Sequence, residues 1–366
     1  ARHMSPAQKD DLMQVFNGVK NAGDLDFVAA WYKKATTFMS NTSIKTALVS
    51  TNSIAQGQSV SILWKHLLVD CDVHIDFAYR TFKWSNEARQ QAAVHCVIIG
   101  FSVGISSNSC LLIDEKGEVQ ITKHINGYLT AAPDIFIENR SKPICNVPEI
   151  GIGNKPIDDG HYLFTEEEKD AFLKLEPEAA PYMRPFLGAQ EFINRKSRYC
   201  LWLGDCSPDE LRNLPECAKR IEAVRLYRAS SKSAPTRAIA SKPRRFHVEN
   251  MPKGTYIAIP EVSSERRAYI PIGFLTPDVM CSNKLKLMPN ATLYHFGILT
   301  STMHNAWMRA VSCRMKSDYS YSNKIIYNNF PWPEPSDVQK NKIESMAQAV
   351  LDARALYPDS TLADLY

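Results

Sequence analysis

The first third of the chain alternates segments of helical and strand periodicity. Ser5, Pro6 and Gln8 place an N-cap, a first-turn proline and a capping-box glutamine in order, which predicts a helix starting at Pro6. Apolar residues at helical spacing predict helices over residues 24–39 and 60–68. Strands are predicted over residues 44–50, 73–79 and 93–101, and the last is apolar almost throughout, as buried central strands are. The pattern indicates an α/β domain.

Beyond about residue 125 this alternation stops and prolines become frequent. Helices are predicted near residues 165–175, 207–223 and 300–311, with short strands over 255–259, 268–274 and 293–296. Ser336 and Gln339 form another capping box, which opens a final helix to about residue 355. We therefore expect an α/β domain over residues 1–140, an α+β domain over 141–333 and a C-terminal helical segment over 334–366.

Charge adds a candidate nucleic-acid surface. The net charge of the 366 residues is only +4, but residues 219–253 hold ten basic residues against two acidic ones. Part of this basic block, residues 230–236, is rich in serine and proline, and hydroxyl and basic side chains together suit phosphate contact. Arg228, Lys232 and Arg237 are the candidates. A solvated surface explains the block equally well.

Several classes of protein are disfavoured by what the sequence lacks. No run of apolar residues is long enough to span a bilayer, and the start carries no apolar signal region. The nine cysteines never occur as Cys-x-x-Cys, which favours reduced structural thiols over disulfides or zinc. We expect a cytoplasmic protein with no membrane contact and no bound metal.

Ordinary catalytic motifs are also missing. The sequence has no phosphate-binding Gly-x-x-x-x-Gly-Lys-Ser/Thr, no His-Glu-x-x-His and no Gly-x-Ser-x-Gly. Gly151 and Gly153 are followed closely by Pro156 and are interpreted as a loop. His304, at helical spacing beside Trp307, is interpreted as a packed or capping residue and not as a metal ligand.

Two groups of segments, in matching order along nearly the whole chain, carry a family resemblance. The early group is DFVAAWY (26–32), LVSTNSIAQG (48–57), RTFKW (80–84) and VIIGF (97–101); the late group is YIPIGF (269–274), FGIL (296–299), MHNAWMR (303–309), YSYS (319–322) and YNNFPWP (327–333). The early group resembles the later methyltransferase motifs of MmeI-type (Type IIL) restriction-modification enzymes. The late group is similar to the target-recognition domain of the same family.

The resemblance implies a parent enzyme that transfers a methyl group from S-adenosylmethionine to adenine N6 within double-stranded DNA. The corresponding fold is the α/β half of a Rossmann-like methyltransferase domain followed by an α+β target-recognition domain and a C-terminal helical segment. The glycine-rich cofactor motif and the Asn-Pro-Pro-aromatic motif of such enzymes are both absent. The chain is therefore expected to be an inactive C-terminal fragment that binds no cofactor alone and needs the missing N-terminal methyltransferase half as a partner.

Adenine N6 cannot be reached inside a duplex, so such an enzyme must flip the base into a pocket with an aromatic wall. Phe101 ends the strand that resembles the motif carrying one wall, although a core phenylalanine at a strand end is an equal alternative. Asn52 and Gln56 follow a predicted strand, where open α/β sheets place ligands, and are candidate pocket residues.

The segment just before the tyrosine-serine repeat resembles a family site where two residues one apart read one base pair. Lys316 and Asp318 would share one face of an extended chain. An ammonium can donate to guanine and a carboxylate can accept from cytosine N4, so the pair suits one G·C base pair. The alternative is a surface ion pair. Neighbouring candidates for DNA contact are Arg314, Tyr319 and Tyr321.

A non-catalytic DNA specificity subunit acting in a complex remains an alternative function. Codons upstream of residue 1 would separate the two, since an open frame encoding Asn-Pro-Pro-Phe and a glycine-rich loop supports the methyltransferase. An unrelated soluble enzyme would need a catalytic cluster that the sequence does not offer.

Overall fold

The computed structural model describes residues 4–84, 94–104, 109–315 and 317–366. The strands are β1 (Thr46–Thr51), β2 (Val73–Trp84), β3 (Val94–Val103), β4 (Cys110–Ile113), β5 (Val119–Thr122), β6 (Gly151–Ile152), β7 (Leu163–Phe164), β8 (Met183–Leu187), β9 (Tyr199–Leu201), β10 (Tyr256–Pro260), β11 (Val262–Ser263), β12 (Gly273–Leu275), β13 (Met280–Cys281), β14 (Leu285–Pro289), β15 (Cys313–Met315) and β16 (Asp318–Ser320). The α-helices are α1 (Pro6–Val15), α2 (Ala29–Met39), α3 (Gly57–Ser59), α4 (Glu166–Leu175), α5 (Ala189–Asn194), α6 (Pro208–Arg212), α7 (Pro215–Ala229), α8 (Ala234–Ala238), α9 (Leu293–Leu299), α10 (Thr302–Val311), α11 (Asp337–Ala355) and α12 (Leu362–Leu365). Shorter 3-10 turns are Ala22–Asp24, Asn52–Ala55 and Pro177–Tyr182, and the π-helical segments are Val60–Trp64, His66–Asp70 and Asn323–Tyr327.

Packing divides the chain into two compact units. The first unit combines residues 1–144 with residues 306–330, and the second combines residues 145–305 with residues 331–366. Residues 306–330, near the end of the domain expected over residues 141–333, therefore pack in the first unit and not with the rest of that domain. The expected limits of the domains remain a prediction.

The first unit is built on a sheet with the strand order β1-β3-β2-β4-β5. β3 pairs antiparallel with both β1 and β2, which therefore run parallel to each other. The connection from β1 to β2 passes through α3 and its π-helical continuation, as a parallel crossover requires. The predicted central strand is confirmed: β3 lies between two partners and is buried along most of its length.

An aromatic cluster fills the core of this unit. The ring of Tyr32 lies 5.6 Å from that of Trp64, edge on, and 5.6 Å from that of Phe101, stacked. All three side chains are fully buried, and the Tyr32 hydroxyl lies 2.9 Å from Ser50 Oγ. Burial of each ring stabilises the fold by about 1.5–3 kcal/mol.

The second unit is α+β, with two sheets ordered β12-β10-β14-β6 and β13-β8-β9-β7. A buried carboxylate caps the start of α7. Glu176 accepts hydrogen bonds from the backbone N–H groups of Glu216 and Cys217, at 2.8 and 2.9 Å. These donors have no partner within the helix, so the acid acts as a distant N-cap. Most of α7, from residue 219 onward, is the first part of the basic block.

Capping patterns in the sequence located helix starts correctly. Ser5 and Gln8 form the reciprocal capping box of α1, and Ser336 and Gln339 form that of α11. The helix expected near residues 165–175 is α4. Side-chain caps act within three residues, so they can be predicted without knowing the tertiary structure.

Three predicted elements were wrong in type or extent. Residues 293–296 form the start of helix α9 and not a strand, because nearly every side of this helix is buried and four apolar residues cannot distinguish the two periods. The helix expected over 207–223 is broken into α6 and α7 by Pro215, which starts α7. The strand expected over 268–274 is limited to β12.

Candidate DNA interface

Arg228 lies inside the second unit and not on its surface. Its side chain is fully buried, and its guanidinium donates five hydrogen bonds of 2.8–3.2 Å to backbone carbonyls. The acceptors are the carbonyl oxygens of Pro156, Ile157, Ile239, Lys242 and Arg245. The assignment of Arg228 to phosphate contact is therefore corrected: it ties residues 156–157 and residues 239–245 to α7.

Lys232 and Arg237 occupy the positions expected of surface cations. Both are exposed, Lys232 just before α8 and Arg237 within it. Arg237 Nη1 donates to the carbonyl oxygen of Ser231 at 2.8 Å, which holds one side of the guanidinium against the loop before α8. Other cations of the basic block are neutralised nearby; Arg225, for example, pairs with Glu222 at 2.6 Å.

In the first unit, β15 and β16 pair as a β-hairpin, which we call the recognition hairpin. β15 and β16 pair antiparallel, with Cys313 opposite Ser320 and Met315 opposite Asp318. Asp318 is half-buried and begins β16, whereas Lys316 lies outside the described residues. The proposed pairing of these two side chains on one face is therefore not tested by the structure.

A cation–π contact between Arg314 and Tyr319 links the two strands of this hairpin. The guanidinium carbon of Arg314 lies 3.8 Å from the ring centroid of Tyr319, and Arg314 Nη1 donates to the carbonyl oxygen of Ser317 at 2.7 Å. Tyr319 and Tyr321 are both buried, and burial raises the pKa of the Tyr321 phenol well above its usual range. Their assignment as surface DNA contacts is corrected: both rings are buried, and that of Tyr319 supports the hairpin through Arg314.

The turn after β1 clasps the hairpin. Gln56 Oε1 accepts the backbone N–H of Arg314 at 3.1 Å. Gly57 has a left-handed φ of +50°, and a Cβ there would lie 2.1 Å from Cys313 Sγ. We call this contact of Gln56 and Gly57 with the hairpin the clasp. Gln56 thus positions the hairpin, and the space left by Gly57 is filled by a cysteine.

Phe101 offers no face to a flipped base. It is fully buried in the stack with Tyr32, so the interpretation as a core phenylalanine is the one that the structure supports. Asn52 is half-buried at the end of β1, and its Nδ2 donates to Thr81 Oγ1 at 3.4 Å. The turn after β1 therefore lies beside the outer half of β2.

That outer half of β2 carries aromatic residues to which sequence reasoning gave no role. The rings of Tyr79 and Phe82 lie 5.2 Å apart, edge to face, and Trp84 follows at 6.3 Å from Phe82. Tyr79 and Phe82 are half-buried, and Trp84 is 47% exposed. A register shift between Tyr79 and Phe82 brings their rings together. The signal was the run RTFKW, in which Phe82 and Trp84 share a face of the strand.

Within the described residues, the turn after β1 does not fit S-adenosylmethionine as a glycine-rich loop would, because its glycine, Gly57, packs on Cys313. Within the described part of the chain, no cluster of three or more metal-binding side chains occurs. No helix among the described residues is both long and apolar enough to cross a bilayer.

Three family models match the chain. "MmeI, DNA-methyltransferase domain" matches residues 1–113, "MmeI, target recognition domain" matches residues 131–334, and "MmeI, C-terminal domain" matches residues 335–366. The recognition hairpin therefore lies in the part matched by the target recognition model, and the turn that contacts it lies in the part matched by the methyltransferase model, although both belong to one compact unit.

Two relatives extend these matches. DNA methyltransferase A of Bacillus subtilis (strain 168) is 38% identical over 100% of this chain and 41% of its own length. The solved structure of the Type IIL restriction-modification enzyme MmeI in complex with DNA is 46% identical and superimposes with a TM-score of 0.94, over 99% of this chain and 49% of that one. The chain spans less than half the length of either relative.

Proposed function

Because the chain belongs to the MmeI family of restriction-modification enzymes, we propose that it provides the sequence-reading part of an S-adenosylmethionine-dependent adenine-N6 DNA methyltransferase. The observation that carries the proposal is the clasp, since it joins the turn after β1 directly to the recognition hairpin. Such a joint lets the bound sequence and the modified base be held in one fixed relation.

The proposed fold of the first unit is the C-terminal part of a Rossmann-like sheet. The parallel crossover from β1 to β2 supports this, because open α/β sheets are built from such crossovers and bind ligands at strand ends. The cofactor would be bound by a polypeptide segment that carries the glycine-rich and Asn-Pro-Pro-aromatic motifs absent from this sequence. We propose that segment as the essential partner, and the cytoplasm, where chromosomal DNA lies, as the place of action.

We propose the aromatic residues of outer β2 as the wall for a flipped adenine, in place of Phe101. Phe82 is the strongest candidate because it is half-buried next to Thr81, which bonds to Asn52 on the turn after β1. A partly exposed ring can stack on a base without unpacking the core. Asn52 is a proposed pocket residue for its amide donors and acceptor.

Base reading is proposed for Lys316 and Asp318 of the recognition hairpin. Their charges are opposite, as required to donate to guanine and accept from cytosine of one G·C pair. Arg314, on β15, stacks on Tyr319 of β16, which limits the motion of the two strands. Lys232 and Arg237, exposed on the second unit, are the proposed phosphate contacts.

A charge exchange tests this function. The full-length protein carrying this sequence is expressed in cells that lack other adenine methylation, and modified adenines are mapped by sequencing. The unchanged protein should methylate adenine in one asymmetric motif. Lys316→Glu with Asp318→Arg should change one G·C position of that motif to C·G and leave the others.

Absence of any modified adenine from the unchanged protein would contradict the methyltransferase function. An active double variant with an unaltered motif would contradict only the assignment of the two base-reading residues.

A further inference from the structure

A cysteine, a histidine, an aspartate and a lysine meet at the C-terminal end of the helix that begins at Gly57. Cys71 Sγ lies 3.6 Å from His66 Nε2, and His66 Nδ1 lies 2.8 Å from Asp70 Oδ2. Lys33 Nζ, on α2, donates to the same sulfur at 3.2 Å. We call these four residues the thiol cluster. It is separated from Gln56 by the length of the helix, about 20 Å, so it is not part of the candidate DNA interface.

The hydrogen bonds of the thiol cluster are those expected around an activated nucleophilic thiol. Asp70 accepts from Nδ1–H of His66, which leaves the lone pair of Nε2 facing the thiol. A thiol, a base in reach and a third group that orients the base are the components of an activated nucleophile. The Lys33 ammonium stabilises negative charge that develops on the sulfur.

Cys71 is also accessible to a small reagent. It is partly exposed and lines a cavity of about 640 Å³ whose other walls are mainly polar. The lining includes hydroxyl and amide side chains from the end of α2 and the turn after it, and the carboxylates of Asp70 and Asp72. Asp70 lies 2.8 Å from His66 and Asp72 lies 3.2 Å from His74, but both carboxylates are largely exposed, at 63% and 70%, so each can also meet a cationic group in solvent.

We propose that Cys71 is a covalent modification site that takes a low-molecular-weight aliphatic disulfide with cationic ends. The thiol proton passes to His66 Nε2 while the sulfur attacks one sulfur atom of the disulfide. The new S–S bond forms as the old one breaks, and the departing thiolate recovers the proton from His66. Cys71 is oxidised to a mixed disulfide and half of the reagent is reduced to a free thiol, so no further oxidant is needed.

The test is site-resolved kinetics of mixed-disulfide formation. The full-length protein that carries this chain is treated with cystamine, an aliphatic disulfide with two ammonium ends. The reaction is stopped with acid, and each cysteine is followed by peptide mass spectrometry. Cys313 provides the internal reference: the residue as a whole is exposed, but its sulfur packs against Gly57, and this burial raises the pKa of its thiol. Cys71 should react at least about tenfold faster than Cys313.

Variants separate activation from simple exposure. Lys33→Met and His66→Asn should each slow the reaction of Cys71 by about threefold or more, while leaving Cys313 unchanged. Lys34→Met is the matched control, since Lys34 is the exposed neighbour on the same helix and should leave the rate unaltered.

Faster modification of Cys313 than of Cys71, or a Cys71 rate that neither Lys33→Met nor His66→Asn lowers, would overturn the proposal. Since loss of the folded state would expose every cysteine, a uniform rise in all rates identifies an unfolded variant. His66→Gln and Lys33→Gln then replace it.

Discussion

At the scale of single residues, Arg228 is the clearest structural tie in the second unit. Arg228→Met should lower the free energy of unfolding by about 3 kcal/mol or more, because one buried and four partly buried carbonyl groups lose their donor and each buried unpaired group costs about 1–3 kcal/mol. Urea denaturation measures the change. Arg225→Met is the matched control on the same helix, and its exposed ion pair should contribute about 0–1 kcal/mol. A stable Arg228→Met protein with weakened DNA binding would restore the phosphate-contact assignment.

His304 gives the second unit a defined pH dependence. Complete burial lowers the pKa of its imidazole from 6.5 to about 3, so the folded state holds it neutral. Its contribution to stability is complete above pH 6.5 and is lost as pH falls from 6.5 toward 3, by about 1.4 kcal/mol per pH unit, because only the unfolded state takes up the proton.

His304→Gln should therefore flatten the acid side of the stability profile. Comparing urea midpoints at about pH 7.5 and about pH 5.5 measures this, with exposed His247→Gln as the control that should keep the wild-type slope. An unchanged slope in His304→Gln would mean that His304 is protonated in the folded state.

At the scale of elements, the clasp couples the turn after β1 to the recognition hairpin. Gln56→Leu removes the acceptor for the Arg314 N–H and should reduce the ratio of methylation at cognate over near-cognate sites by about 2- to 12-fold, the value of one hydrogen bond of about 0.5–1.5 kcal/mol. Gln56→Glu keeps an acceptor oxygen at the same place and should restore most of the ratio.

The kinetic signature separates the clasp from a pocket role for Gln56. A positioning residue should alter discrimination between sites and KM for DNA more than kcat. A uniform loss of kcat at every site, with discrimination preserved, would instead return Gln56 to the flipped-base pocket.

At the scale of the whole molecule, the net charge of only +4 does not reveal that Lys232 and Arg237 form an exposed basic site. Lys232→Gln with Arg237→Gln should flatten the slope of log K against log salt by about 1.8 for duplex DNA of arbitrary sequence, since each phosphate contact contributes about 0.9. Fluorescence anisotropy over a salt series measures the slope. Arg225→Gln should leave it unaltered, because that cation is already paired with Glu222. If the double variant has the same slope as the unchanged protein, Lys232 and Arg237 do not contact phosphates and the basic block is a solvated surface.

The sequence by itself determined the features that act over short distances or through long strings of residues. The caps of α1 and α11 follow from side chains three residues apart, and burial of β3 follows from an unbroken apolar run. Family membership followed from many ordered segments, each weak alone. These signals need no knowledge of what lies next to them in space.

Tertiary structure alone decided which candidate residues face solvent and which distant segments meet. Sequence cannot distinguish buried Arg228 from exposed Arg237, because burial depends on carbonyl groups from remote loops. The same holds for Phe101, which packs on Tyr32, and for the bond between Gln56 and Arg314, which joins residues 258 positions apart. Such contacts are set by how whole elements pack, so the pattern along the chain carries no record of them.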